Sequence, residues 1–274
     1  MRPLFRYPGG KAKLARYILP KLKQLAENSG CTWFCDPFTG GGAIALGYLG
    51  TAPPNQYVWL NDADNGISCI WDTILNHPHD LKLWVQHYQP AVADFETFRY
   101  ELDATPVLLT ESDCLNIACK KLALHQISYS GLGAMAGGPI GGKSQTSAYK
   151  VGCRWRPDQI CRKIDAMHAL LAQHRVVVSC TDFSHFLTDD LAGVTYYIDP
   201  PYYQKGEALY KHSFSMDDHQ RLATQLHQMK QPWLLSYDDC PEVRALYSWA
   251  QIETVDVGYS ICGQTRKREL LVSR

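Results

Sequence analysis

The chain has 274 residues, of which 46% are hydrophobic and 20% charged, and its formal net charge is zero. This composition is ordinary for a soluble globular protein, and no apolar run approaches the roughly 20 residues that span a bilayer. The first residues lack the apolar core and cleavage site of a signal peptide, so we expect a cytoplasmic protein without membrane association. The ten cysteines form no Cys-x-x-Cys pair and the histidines no His-Glu-x-x-His pattern, so we expect reduced thiols and no metal site.

The charges are unevenly distributed along the chain. Residues 64–113 carry nine acids against Lys82 and Arg99, a net charge of −7. Residues 120–163 carry eight bases against Asp158, a net charge of +7. Such a basic block can dock a polyanion although the whole protein is neutral. A solvated basic surface without a partner is an equal alternative.

The first 63 residues have the pattern of an α/β fold. Apolar residues at helical spacing predict a helix over 13–24, after a turn at 8–10. A short buried strand over 31–35 leads into the glycine-rich turn 36–42 and a helix over 43–49. A second strand over 57–60 ends at Asn61 and Asp62. This order predicts the opening of a Rossmann-like, doubly wound α/β sheet.

The middle of the chain follows a different pattern. Residues 66–124 have helical periodicity, and residues 131–152 are rich in glycine and small polar residues. Strands are predicted again at 175–179, 194–198, 233–236 and 270–272. We therefore predict one sheet domain made from residues 1–63 and 161–274. A mainly helical insertion over 64–160 interrupts it.

Two features of the first half could bind a nucleoside. The glycines of Asp36 to Gly42 let the backbone approach a ligand at a helix start, although a tight strand-to-helix turn is an equal alternative. The spacing of a dinucleotide-binding loop is not matched, because Ala45 stands where its third glycine would be. Asp62 could accept ribose hydroxyls after the second strand. Alternatively it caps the next helix, a role that Asp64 or Asn65 could fill instead.

The most specific motif is Tyr196 to Tyr202, in which an apolar strand ends in Asp199, Pro200, Pro201 and Tyr202. Prolines fix the backbone and supply carbonyl acceptors without donors. The Asp199 carboxylate and the Pro200 carbonyl could each accept one N–H of an exocyclic amino group, while Tyr202 stacks on the base. The alternative, a strand-ending turn, gives no reason for an acid there.

In their order, these motifs resemble the Dam-type (α-class) DNA N6-adenine methyltransferases. The chain has Phe5-Arg-Tyr-Pro-Gly-Gly-Lys11, then Asp36 to Gly42, then the insertion, then Asp199 to Tyr202. The likeness continues through Thr181 to Phe183, Ser236 to Asp239, and Tyr259 to Gly263 with Arg266 to Arg268. It therefore covers nearly the whole chain.

The resemblance implies a role for each matching residue. Asp199, Pro200, Pro201 and Tyr202 would form the catalytic loop. The residues that would contact the cofactor, S-adenosylmethionine, are Tyr7, Lys11, Asp36, Phe38, Gly40, Gly42, Asp62, Asp182, Phe183 and Asp199. The acceptor would be an adenine of double-stranded DNA, flipped out of the helix. A restriction-modification system, with a cognate restriction enzyme as partner, is one setting that the resemblance allows.

The insertion would contact the DNA. Basic and hydroxyl side chains are suited to phosphate and guanine contacts, and an aromatic one can fill the gap left by a flipped base. The candidates are Arg6, Ser128, Tyr129, Ser130, Lys143, Lys150, Arg154 and Arg156. Tyr129 and Trp155 could instead be core aromatics, which for Trp155 is at least as plausible. Dam enzymes usually have arginine and asparagine after the Gly-Leu pair, whereas this chain has Gly133 to Ala136, so the GATC target does not carry over.

The chemistry of methyl transfer fits the sequence. A sulfonium is already electrophilic, so positioning and electrostatics would carry most of the catalysis. Cytosine C5 methylation would lead us to expect a Pro-Cys dipeptide, and no proline precedes a cysteine in this chain. Three alternatives stay open: methylation of another amino group (cytosine N4, an RNA base or a protein glutamine), an inactive DNA-binding or cofactor-binding homologue, and a nucleotide-dependent oxidoreductase.

Overall fold

The structure is a computed structural model that describes residues 3–104, 110–187, 192–204, 206–260 and 264–274. Part of the Tyr259 to Gly263 motif, and the side chains of 257–267, lie outside what it describes. In the described chain one mixed sheet contains β1 (Trp33–Asp36), β2 (Tyr57–Asn61), β3 (Arg175–Ser179), β4 (Val194–Ile198), β5 (Trp233–Asp238), β6 (Gln251–Ser260) and β7 (Gln264–Ser273). Their order across the sheet is β3-β2-β1-β4-β5-β7-β6. Strands β1 to β5 are parallel, and β7 is antiparallel to both β5 and β6.

Helices follow most of the strands. The predicted first helix begins after a 3₁₀ turn at Lys11–Lys13 and runs further than expected, to Asn28. The α-helices are α1 (Ala15–Asn28), α2 (Ala43–Leu49), α3 (Asn65–Asn76), α4 (Pro78–His87), α5 (Asp94–Asp103), α6 (Glu111–Ile127), α7 (Pro157–Leu171), α8 (Gly206–Leu209), α9 (Met216–Gln228) and α10 (Pro241–Leu246). None of the described helices is both long and apolar enough to cross a bilayer.

Both faces of the sheet are covered. Along β4, Tyr196 and Ile198 join a core with α9, whereas Tyr197 between them joins the core on the opposite face with α1, α2 and α3. Side chains alternate between the faces of a strand, so the fully buried pattern of β4 requires helices on both sides. The predicted Rossmann-like α/β fold is confirmed.

The chain order places three acids at one edge of the sheet. From β1, the chain continues to β2 on one side, and β4 lies on the other side, which makes β1 the switch point of the sheet. Ligands of open α/β sheets bind beyond the carboxyl ends of the strands at this point. Asp36 ends β1, Asp62 follows β2 and Asp199 follows β4.

The segment 64–160 is mainly helical, as predicted, and shares its core with the sheet. Ile67 of α3 and Leu122 of α6 belong to the same buried cluster as Phe34 of β1. A smaller cluster that includes Phe95 and Leu124 packs α5 and the loops after α6 together. One buried core continues from the sheet into α3 and α7, so it does not separate the insertion from the sheet domain. The boundaries at 64 and 160 stay a prediction.

Candidate active site

In the described part of the chain, the contacts that hold Asp199 use one of its two carboxylate oxygens. Its Oδ1 lies 2.7 Å from Lys11 Nζ and accepts a hydrogen bond from Ser236 Oγ at 3.0 Å. Ser236, on β5, is in turn hydrogen-bonded to Tyr197 Oη at 2.8 Å. Both partners that the described residues give Asp199 use Oδ1. The other oxygen, Oδ2, is therefore the one that can accept a bond from a ligand.

Lys11 is a buried cation at the centre of the site, with 3% of its surface exposed. Its ammonium donates to the carbonyl of Gly9 at 3.1 Å and to Tyr202 Oη at 3.3 Å, and lies 4.6 Å from the Tyr202 ring centroid. Burial acts to lower the pKa of Lys11. The neighbouring Asp199, Tyr202 and Glu269 outweigh that effect and raise the pKa well above its usual value, so Lys11 stays charged.

The acids of the site outnumber this cation. Burial and the nearby Asp199 raise the pKa of Asp36, which is 2% exposed, well above its usual value. Burial, together with Asp64, raises the pKa of Asp62 to about 7. Burial also raises the pKa of Asp199, although Lys11 acts in the opposite direction. Burial and mutual repulsion disfavour the ionised forms of these carboxyl groups, and a positively charged ligand bound beside them would offset both effects, so the site favours a cation.

The glycine loop is fixed between two aromatic rings. Gly40 and Gly42 have φ angles of +47° and +67°. A Cβ on Gly40 would lie 2.7 Å from the Tyr7 ring, and one on Gly42 would lie 2.1 Å from Trp71. Trp71 Nε1 donates to the Gly40 carbonyl at 2.9 Å. For Asp36 to Gly42 the sequence allowed either a tight strand-to-helix turn or a ligand-binding loop. The segment is a tight turn, and it also lines the larger cavity.

Asp62 is not the cap of α3. Asp64 caps that helix by accepting the Gly66 N–H at 2.9 Å, and it forms an ion pair with Lys121. Asp62 instead accepts the N–H of Gly40 at 2.8 Å through Oδ2 and that of Asp64 at 2.9 Å through Oδ1. It thereby links β2 to the glycine loop and lines a cavity.

Two adjoining cavities meet at Asp199. The larger, of about 740 Å³, lies between the N-terminal segment and the glycine loop, and the smaller, of about 190 Å³, lies beside Asp62 and Phe183. Tyr7, Phe38 and Asp199 line both. Every residue that the resemblance assigned to the cofactor lines one of the two cavities. Among the described residues, no group of three or more His, Cys, Asp or Glu side chains could hold a metal ion.

The smaller cavity has an aromatic wall. Phe183, which is 3% exposed, packs against Phe38 and Phe214 with ring centroids 5.6 and 5.1 Å away. Asp182 accepts the Ser184 N–H at 3.0 Å and pairs with Arg221 at 3.0 Å. These hydrogen bonds and Arg221 lower the pKa of Asp182 although partial burial acts to raise it. A flat apolar wall beside an ionised acid suits a nucleobase.

The four residues of the predicted catalytic loop have different surroundings. Asp199 lines both cavities and Pro201 lines the smaller one, whereas Pro200 and Tyr202 line neither. Tyr202 is 9% exposed, its ring lies beneath the Lys11 ammonium, and its hydroxyl donates to Glu269 at 2.8 Å. The expected stacking of Tyr202 on a base stays a prediction.

Of the eight predicted DNA-contacting residues, Arg6, Ser130, Arg154 and Arg156 line the larger cavity. Burial and the like charge of Arg6 lower the pKa of Arg154. Tyr129, which is 67% exposed, projects from the same loop. Trp155, by contrast, is a core aromatic in edge contact with Trp84 and Tyr88.

Ser128 does not reach the surface. Its side chain is fully buried, and its Oγ accepts the Gly133 N–H at 2.9 Å. It therefore shapes the loop and is not available to a phosphate in this conformation. Lys143 pairs with Glu96 at 3.5 Å, and Lys150 donates to the Gln145 carbonyl; neither lines a cavity.

The acidic and basic blocks of the sequence partly neutralise each other. Lys120 pairs with Glu101 at 3.0 Å, Lys121 pairs with Asp64, and Lys143 pairs with Glu96. Ion pairs between the two blocks thus engage several of the lysines. From the basic block, Arg154, Arg156 and Lys163 line the larger cavity and so face the site.

Tyr210 and Glu269 are among the site residues that the sequence analysis did not predict. Tyr210 lines both cavities and donates to the Pro8 carbonyl at 3.3 Å; a Cβ on Gly9 would lie 2.1 Å from its hydroxyl. No local pattern identifies it. Glu269 lies in β7 beside Lys11, with 3% of its surface exposed. An acid directly before the apolar run 270–272 was an available signal.

Comparison with known proteins identifies the family. No curated protein matches the chain in sequence. Among solved structures, a candidate RNA methyltransferase from Pyrococcus horikoshii superposes with a TM-score of 0.42 at 11% identity, covering 98% of this chain and 85% of that one. The model of the D12 class N6 adenine-specific DNA methyltransferases matches residues 7–261, which include the glycine loop, the smaller cavity, most of the lining of the larger one and Asp199. The chain belongs to this enzyme family.

Proposed function

We propose that the chain transfers a methyl group from S-adenosylmethionine to N6 of an adenine at a specific site in double-stranded DNA, with the base flipped out of the helix. One observation carries the proposal. Asp199 is fixed through Oδ1, while Oδ2 is left to accept an amino N–H where the two cavities meet. The family to which the chain belongs supports adenine in DNA over the other amino groups.

The described residues fit the cofactor. The glycine loop and Asp36 would hold its methionine part, Asp62 its ribose, and Asp182 with Phe183 its adenine. When bound, the cofactor supplies an electrophilic methyl group on a sulfonium. The excess of buried acids around Lys11 favours such a cation, and the positive φ angles of Gly40 and Gly42 let the backbone line its pocket.

The chain's own residues would orient the adenine amino group and accept the proton that it loses. Asp199 Oδ2 would accept one N–H of the adenine amino group, which aims the nitrogen lone pair at the methyl group. That the Pro200 carbonyl accepts the other N–H stays a prediction, because Pro200 lines neither cavity. Lys11 and Ser236 prevent Asp199 from rotating. Because burial raises the pKa of Asp199, it can also take the proton that the methylated nitrogen must lose.

The DNA would lie across the mouth of the larger cavity. Arg6, Arg154 and Arg156 are placed there to bind phosphates or guanine, and Ser130 with the exposed Tyr129 lies near the base that leaves the stack. Lys143 and Lys150 would contact DNA further from the site.

The decisive experiment is a nucleoside mass spectrum of unmethylated DNA incubated with the protein and S-adenosylmethionine. We expect N6-methyladenine with the wild type and none with Asp199→Ala. Asp165→Ala is the matched control, because Asp165 is an exposed acid that pairs with Lys82 away from both cavities. Formation of N4-methylcytosine, methylation of RNA alone, or full activity of Asp199→Ala would refute the proposal. Calorimetry that showed tight binding of NAD would refute the cofactor assignment.

A further inference from the structure

Glu269 is an acid buried in an apolar strand. It lies in β7, where it is paired in register with Asp238 of β5 and Val255 of β6. The next three residues, Leu270, Leu271 and Val272, are buried apolar core. Only 3% of the surface of Glu269 is exposed. A buried carboxyl group is costly to keep, so its contacts should explain its presence.

Glu269 is linked to the proposed catalytic acid, Asp199, through Tyr202 and Lys11. Its Oε1 accepts a hydrogen bond from Tyr202 Oη at 2.8 Å, and its Oε2 lies 4.0 Å from Lys11 Nζ. The same Tyr202 hydroxyl accepts a bond from Lys11, which lies 2.7 Å from Asp199. Among the described residues, Oε2 has no hydrogen-bond donor. Glu269 thus acts on Lys11 both through Tyr202 and directly by charge.

We propose that Glu269 is a positioning residue, which shares the Lys11 ammonium with Asp199 and thereby keeps Asp199 Oδ2 free for the target amino group. This role rests on the methyl transfer proposed above. Without the charge of Glu269, Asp199 is the nearest acid left to Lys11, and the ammonium can move toward both of its oxygens. The amino group of the adenine would then compete with Lys11 for its acceptor.

The charge of Glu269 also affects how Asp199 titrates. The titratable groups that act on Glu269 or on its partners in this network are Lys11, Tyr197, Asp199, Tyr202, Tyr210 and Asp238, and Asp199 in turn acts on Asp36. Two nearby acids raise each other's pKa, and Asp199 is one cause of the raised pKa of Glu269. Removal of the Glu269 charge should therefore lower the pKa of Asp199. Because Asp199 must be ionised to accept an N–H, the acid limb of the rate profile should move to lower pH.

The test is Glu269→Gln, which keeps the shape of the side chain and removes its charge. We expect kcat at pH 8 to fall about tenfold or more while KM for DNA changes less than about twofold, as for an interaction made in the transition state. The acid limb of kcat should shift downward by about half a pH unit or more. Glu253→Gln is the matched control, because Glu253 is exposed on β6 and pairs with Lys21; its kcat and pH profile should equal those of the wild type.

Two further variants keep the test decisive. Tyr202→Phe removes only the hydroxyl between Lys11 and Glu269 and should lower kcat without unfolding the protein, which circular dichroism would check. Glu269→Asp should restore part of the wild-type pH profile. An unchanged kcat and pH profile in Glu269→Gln would overturn the inference. If that variant does not fold, an unchanged kcat in Tyr202→Phe would overturn it. If the wild type forms no N6-methyladenine, the proposed function fails instead.

Discussion

The indole ring of Trp71 occupies the space that a side chain on Gly42 would need. A Cβ at Gly42 would lie 2.1 Å from one indole carbon and 2.4 Å from the next, and φ at Gly42 is +67°. Trp71 is 1% exposed, and its Nε1 donates to the carbonyl of Gly40. The helix α3 that carries Trp71 therefore sets the shape of the glycine loop.

Gly42→Ala should destabilise the protein strongly, because the added methyl group is strained by φ and collides with a ring that cannot move. We expect the free energy of unfolding to fall by about 3 kcal/mol or more, measured by urea denaturation. Gly142→Ala is the control, since Gly142 has a φ of +71° but open space around its Cβ position; it should cost about 1–2 kcal/mol. Equal losses in the two variants would contradict the collision.

Cofactor affinity should depend on the ionisation of Asp62. Its pKa in the free protein is about 7, and only the carboxylate can accept both ribose hydroxyls. Between pH 8 and pH 6 the ionised fraction falls about tenfold, so the dissociation constant for S-adenosylmethionine should rise by about the same factor. Titration calorimetry across this range measures it. Asp62→Asn should bind more weakly and without this pH dependence; an identical pH dependence in that variant would assign the titration to another group.

Protein stability should fall in mild acid because of His125. Burial and Lys121 lower the pKa of this imidazole from 6.5 to about 4, and its ring stacks on Phe5 at 4.9 Å. The unfolded chain binds a proton as pH falls below 6.5, whereas the folded protein does not until about pH 4. Stability that is present above pH 6.5 should thus decline by up to about 3 kcal/mol toward pH 4.

Urea denaturation at several pH values tests this titration. His125→Asn should be less stable at pH 7 but should lose less stability between pH 6.5 and pH 4.5 than the wild type. His79→Asn is the control, because His79 is exposed on α4; it should keep the wild-type slope. If both variants keep that slope, His125 is not the group that titrates.

Arg156 should contribute one phosphate contact. It is exposed at the rim of the larger cavity, within the part of the basic block that faces the site. Arg156→Ala should weaken DNA binding at low salt and reduce the slope of log K against log salt by about 1. Lys23→Ala removes one charge from α1, away from both cavities, and should leave the slope unchanged. A change of DNA sequence preference in Arg156→Ala at constant slope would instead indicate a base contact.

Much of the fold could be predicted because its strands are short apolar runs bounded by turn residues. Strands β3 and β4 begin and end at the predicted residues. Strand β6 was missed, because its alternating polar residues form an edge strand that is only half covered. The order of β6 and β7 depends on pairing between distant segments, which local periodicity does not contain.

The sequence motifs predicted the part of the site that lies next to the ends of strands. Residues next to strand ends, such as Asp36, Asp62 and Asp199, are brought together by the parallel sheet itself. Ser128 was assigned to the DNA surface because hydroxyls bind phosphates, but burial in the loop overrides residue type. Tyr210 and Glu269 reach the site through tertiary packing, so no local pattern identifies the contacts that they make with Pro8 and Tyr202.

The ion pairs between the acidic and basic blocks have a consequence for how the protein searches a genome. With Lys120, Lys121 and Lys143 engaged by acids, three of the eight bases of the basic block are less available to hold DNA of any sequence. A protein with zero net charge and a small basic patch leaves non-specific DNA quickly, since that binding is almost entirely electrostatic. We therefore expect distributive methylation, in which the enzyme dissociates after each turnover and reaches the next site through solution.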